Sequence, residues 1–125
     1  MITQHPVSIS VHTRYLKEHS VAQENRHVFA YTVTISNHGL ENIKLLSRHW
    51  LITDGHNKTQ EVRGEGVIGE QPTIEPGADF SYTSSAMLET DAGTMEGSYQ
   101  MISQSGENFD TPIPLFVLTR PGALH

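Results

Sequence analysis

The sequence predicts an all-β fold, a two-layer antiparallel sandwich of about seven to nine short strands. Three observations carry that expectation. Apolar and polar residues alternate in run after run, the runs are separated by clusters of Gly, Pro, Asn and Asp, and no segment of helical length has an apolar stripe. At 125 residues the chain suffices for one hydrophobic core, so residues 1–125 are expected to form a single domain. No internal repeat, low-complexity tract or linker interrupts it.

The strands follow in order. Val7, Ile9 and Val11 alternate with Ser8, Ser10 and His12, continuing through Thr13 and Tyr15 as a half-buried first strand. Polar Gln23-Glu24-Asn25 breaks the pattern. Phe29, Tyr31, Val33 and Ile35 restore it until Asn37-His38-Gly39. From Ile43 to Asp54 both faces carry apolar residues, Leu45 and Leu51 on one and Leu46, Trp50 and Ile52 on the other, which predicts a central or bulged strand of open parity. Asp54-Gly55 signals a hairpin turn into a polar strand over about 58–63, exposed on one face. Gly64, Gly66, Gly69, Pro72 and Pro76-Gly77 then exclude a helix longer than a turn. Phe80, Tyr82, Ser84, Ala86 and Leu88 form the next strand, and Met95, Gly97, Tyr99 and Met101 another. The last, 109–119, contains Pro112 and Pro114; strand residues two apart face the same neighbour, so its first half must be an edge or a bulge.

Composition narrows the chemistry. The chain has no cysteine, hence no disulfide, thiolate nucleophile or zinc–thiolate site, a pattern compatible with the cytoplasm. The beginning Met1-Ile2-Thr3-Gln4-His5-Pro6 lacks the features of a signal peptide, and the longest apolar run, Leu115-Phe116-Val117-Leu118, is too short to span a bilayer, so no membrane insertion is expected. The formal net charge of -6 is uneven: residues 1–63 carry seven Lys/Arg and five Asp/Glu, residues 64–125 one and nine. Nucleic-acid binding is disfavoured, because it needs clustered cations. The acidic half reads first as a solubilising surface, since sandwich strands from both halves interleave.

Gly64-x-Gly66-x-x-Gly69 matches the dinucleotide-binding fingerprint, which places a pyrophosphate on a helix N-terminus. Pro72 follows too soon for that helix, and no Lys-Ser/Thr makes a P-loop. A weaker version is an anion-binding nest of backbone N–H groups with Arg63 nearby, opposed by Glu61, Glu65 and Glu70. The structural alternative, which we favour, is a strand connection needing a bulge or positive φ.

The eight histidines include His5, His12 and His19 at seven-residue intervals, an odd spacing that turns neighbours to opposite strand faces. No metal ligand set is assigned. His49 is expected to be a hydrogen-bonded structural histidine, and Glu89, Asp91 and Glu96 lack the pattern of a calcium loop. Trp50 is expected to anchor the core, with Arg48 on the same face satisfied by stacking or an acidic partner; the alternative is an exposed Arg-Trp recognition patch. No catalytic residue is assigned, because neither a nucleophile motif nor a paired carboxylate stands out.

Arg48-His49-Trp50, Gly64 to Pro72, Phe29-Ala30-Tyr31-Thr32-Val33, Pro76-Gly77, Tyr82-Thr83-Ser84, Gly93, Met95, Gly97, Tyr99 and Pro121-Gly122-Ala123-Leu124-His125 together resemble the bacterial ApaG family. The resemblance implies a fibronectin-III/immunoglobulin-like sandwich without known enzymatic activity, in the bacterial cytoplasm. It further implies a link to cobalt and magnesium tolerance or efflux and a genomic neighbour that hydrolyses diadenosine tetraphosphate. Similar domains in eukaryotic F-box and polymerase-interacting proteins look like interaction modules, and the glycine motif has been discussed in the family as a pyrophosphate site.

The expected function is therefore a non-catalytic module that binds an unidentified protein partner through an edge strand or the loop containing Arg63, Gly64, Glu65, Gly66, Gly69 and Glu70, with no cofactor. An edge strand could equally support a homodimer. The alternative is a phosphate, pyrophosphate or dinucleoside-polyphosphate sensor using the glycine loop, and the third reading is a weak divalent-metal binder.

Overall fold

The computed structural model describes residues 6–122. His5 of the histidine series and Ala123-Leu124-His125 of the C-terminal signature lie outside them. Eight strands occur in chain order: β1 (Val7–Tyr15), β2 (His27–Asn37), β3 (Ile43–Asp54), β4 (Thr59–Glu65), β5 (Thr73–Ile74), β6 (Asp79–Leu88), β7 (Ala92–Ser103) and β8 (Asn108–Thr119). They form two antiparallel sheets, one ordered β1-β2-β6 and the other β4-β3-β7-β8, with β5 paired to the start of β3. The fold is an all-β sandwich, as the alternation predicts. Strands from the two halves of the chain pair directly, β2 with β6 and β3 with β7.

Between β1 and β2, where the sequence shows only a polar break, two 3-10 turns occur at Lys17–His19 and Ala22–Glu24. No helix among the described residues is long and apolar enough to cross a membrane.

Most strands turn most of their apolar residues inward, Met87 of β6 and Leu115 and Val117 of β8 being exposed. In β2 every second residue from His27 to Asn37 is buried, and Phe29, Val33 and Ile35 are sealed completely. Trp50, 2 % exposed, sits at the centre, its indole meeting Tyr31, Tyr99 and Phe116 at tilted, edge-on angles. Such aromatic contacts add to the area they bury. Asn37, also buried, ties the ends of several elements together. Its Nδ2 donates to the carbonyls of Glu41 and Ile74, at 2.8 and 2.9 Å, and its Oδ1 accepts from Gly39 N.

β3 is central and bulged, as expected, and the bulge settles its open parity by regrouping the apolar residues. Leu45 pairs with Met101 and Ser47 with Gln100, leaving Leu46 as an extra residue. This bulge resets the alternation, so Leu45, Trp50 and Ile52 all face the core whereas Leu51 turns outward with Ser47 and His49. A run apolar on both sides is thus an ordinary half-buried strand with one residue inserted. In β8 a second irregularity places Pro114-Leu115 between the pairs Gly97–Ile113 and Met95–Phe116, and among the described residues β8 pairs only with β7. The proline-containing strand is both an edge and bulged.

The two long flanks of the sandwich differ. Along one, β1 packs against β8. Along the other, β4 and β6 stand apart as the lips of a cleft.

Candidate functional site

The bulge in β3 gives Arg48 its position. By resetting the alternation it turns Arg48 to the inner face, opposite Gly64 of β4 and Tyr99 of β7. Arg48 Nη1 donates to the carbonyl oxygens of Glu65, at 3.0 Å, and Gly66, at 2.8 Å. The expected stacking or acidic partner is replaced by these carbonyls, which already carry the partial negative charge a guanidinium needs. A β carbon on Gly64 would lie 2.8 Å from Cζ, Nη1 and Nη2 alike, so the guanidinium plane covers the bare Cα.

The sequence boundary also moves. Gly64 and Glu65 belong to β4, and the loop begins only at Gly66. Gly66 has φ +59 and its N–H donates to Leu46 O at 2.8 Å; a β carbon there would fall 2.1 Å from Glu70 O. Gln71 Nε2 donates to the same Leu46 carbonyl at 2.9 Å. The bulged residue is therefore what holds the loop. Beyond it, Val67 and Glu70 exchange reciprocal backbone bonds of 2.8 and 2.9 Å around Ile68 and Gly69, whose φ values are 43 and 79. This is a two-residue turn with both central residues left-handed. Val67 is buried in the core and Ile68 stands out to solvent.

The loop chemistry follows. The N–H groups of Gly66, Val67 and Glu70 are engaged inside the protein. Arg63, the nearby cation, pairs with Glu61 at 3.4 Å on the outer face of the sheet. His49 shares that carboxylate: its Nε2 lies 3.4 Å from Glu61 Oε2, within ion-pair range but off the line of a good hydrogen bond. The polar partner of His49 is thus the Glu61 carboxylate, at the long end of hydrogen-bonding distance. His49 and then Arg63 hold the Glu61 carboxyl below its usual range. Glu65 and Glu70 are exposed. His12 sits in β1 and His19 in the first 3-10 turn; among the described residues no three His, Asp or Glu side chains converge as metal ligands.

Inward from Arg48 lies a group of hydroxyls that no motif marked. The hydroxyls of Tyr82 and Tyr99 hydrogen-bond to each other in the core. Burial pushes the pKa of both upward, and that of Tyr31 too, where a hydrogen bond with Ser84 and the charge of Arg48 partly offset it. The available signal was Ser84, a polar residue at an inward position between Tyr82 and Ala86. Alternation places it on the core face; it does not say that Tyr31 meets it there. Trp50, Ile52, Val62, Met87 and Met95 complete a cleft of about 330 Å³ between β4 and β6, with Arg48 at one end.

Comparison with known proteins matches residues 17–103 to the ApaG domain family. The chain is 58 % identical over 123 residues to Protein ApaG of Pseudomonas paraeruginosa, covering 98 % of each chain, and 57 % identical over 122 residues to that of Azotobacter vinelandii, covering 98 % of this chain and 97 % of the relative. A crystal structure described as the ApaA protein of Bordetella pertussis superposes with a TM-score of 0.93 at 43 % identity, covering 98 % of this chain and 100 % of its own.

Proposed function

The chain belongs to the ApaG domain family, and on that premise we propose that it is a non-catalytic binding module of the cytoplasm whose partner is a protein. The observation that carries this reading is the edge of β6. This strand runs ten residues, pairs among the described residues only with β2, contains no proline and has no charged residue after Asp79. Edge strands are ordinarily blunted by charge, proline or brevity, because their unpaired N–H and C=O groups recruit other strands. On β8, Pro112 and Pro114 do so; on β4, Glu61, Arg63 and Glu65 do. On β6 nothing does, which suits strand addition by a partner segment or a second copy of this chain.

The glycine loop, with exposed Ile68 between Glu65 and Glu70, is a further contact surface of the same module. The internal engagement of the Gly66, Val67 and Glu70 N–H groups and the pairing of Arg63 with Glu61 favour this reading over an anion sensor. Any influence on cobalt or magnesium tolerance is then indirect, exerted through the partner.

Affinity capture from the native bacterium, comparing the wild-type chain with a Ser85→Lys/Met87→Lys variant, tests the edge. Both side chains are exposed, so the fold is retained. A partner or a self-association lost in the variant supports the reading; partners retained unchanged, or no partner and no concentration-dependent association in sedimentation, sink it.

A further inference from the structure

We infer that the cleft between β4 and β6 binds a small organic carboxylate carrying an apolar or aromatic body. Its volume, about 330 Å³, falls at the small end of ligand pockets. Its lining contains one charged residue, Arg48, and no carboxylate, in a chain whose formal net charge is -6. That contrast is local and strong. The glycine loop, by comparison, presents Glu65 and Glu70.

Arg48 is half-engaged. Both hydrogen bonds it makes among the described residues leave from Nη1, to the Glu65 and Gly66 carbonyls. The edge formed by Nε and Nη2 keeps its donors, and this side-on fork matches the two oxygens of a carboxylate. Because Nη1 and the contact with Gly64 already fix the guanidinium, little side-chain entropy remains to be lost on binding. The hydroxyls of Tyr31 and Ser84 line the same cleft, and, being hydrogen-bonded to each other, the pair keeps one further donor for a ligand.

The body of the ligand has a place as well. From Arg48 the wall of β3 runs through Trp50 to Ile52, and Met87 and Met95 stand beside Ile52. Methionine adapts its shape to an apolar guest, and Met87 is 56 % exposed before any guest arrives. A single cation with one free hydroxyl donor suits one negative charge; a pyrophosphate, with more charge to neutralise, would be poorly matched.

The test uses the whole chain and three acids, benzoate, phenylacetate and hexanoate, with phenylacetamide and inorganic phosphate as controls. Trp50, the sole tryptophan, reports by fluorescence, and amide NMR locates the shifts. The expected result is a saturable response to at least one acid at millimolar concentration or below, centred on Arg48, Trp50 and Ser84, with none for the amide or phosphate. Gln60→Glu places a negative charge on the exposed wall of the cleft without touching the loop, and should weaken the acid about tenfold while melting like the wild type. Arg48→Lys should weaken it at least as much, because an ammonium cannot form the fork. No saturable response to any of the three acids, amide binding equal to acid binding, or a Gln60→Glu variant of unchanged affinity would each overturn the inference.

Discussion

The guanidinium of Arg48 lies flat against the Cα of Gly64, closer than any β carbon allows. Gly64→Ala must displace the arginine, and with it the two bonds to the Glu65 and Gly66 carbonyls, so a loss of about 2 kcal/mol is expected. Gly69→Ala meets nothing within 4 Å and bears only the left-handed backbone, about 1 kcal/mol. Urea unfolding midpoints should rank wild type, Gly69→Ala and Gly64→Ala in that order of decreasing stability.

Ile68 invites a change in the other direction. It is β-branched, exposed and left-handed, at a turn position that Asn occupies readily. Ile68→Asn should raise stability by about 1 kcal/mol and the thermal midpoint by a few degrees. A lower midpoint would mean that Ile68 makes a contact its exposure conceals.

The Tyr82 and Tyr99 hydroxyls satisfy one another in the core. Tyr82→Phe or Tyr99→Phe alone leaves a buried hydroxyl without its partner, at about 1–2 kcal/mol, whereas the double variant should lose less than the sum. A double-mutant cycle in urea measures the difference.

The same pair sets an alkaline limit. Burial raises both folded-state pKa values above the ordinary 10.0, so the unfolded chain releases these protons first. Their contribution is fully present below pH 10 and disappears as pH rises above it. The decline of urea midpoint with pH in that range should be shallower in the double Phe variant than in the wild type.

Asn37 holds two carbonyls and one amide at the joint of β2, β5 and the turn before β3. Asn37→Leu would orphan all three and should lose about 3 kcal/mol or more. Thermal denaturation measures it, and an unchanged midpoint would show that water replaces the amide.

How much of this the sequence disclosed depends on range. Alternation gave the inward faces of β1, β2, β6 and β7 because strand geometry fixes them locally. In β3 the doubly apolar run announced a central or bulged strand but left its parity open, because the position of the inserted Leu46 answers to Gly66 and Gln71, twenty or more residues away in sequence. Arg48 was legible as an inward cation, but its acceptors are backbone carbonyls, which carry no residue code. The turn at Ile68-Gly69 was hidden by an isoleucine where Asn or Gly would have signalled it. The cleft needs knowledge of which flank stays open, a property of the assembled sheets.

Deleting Leu46 would leave β3 an uninterrupted strand, with Leu45 and Trp50 still facing inward, so the core would survive the loss. What would go adrift is the mooring of Gly66 and Gln71. The sheet can dispense with that residue; the connection hung from it cannot.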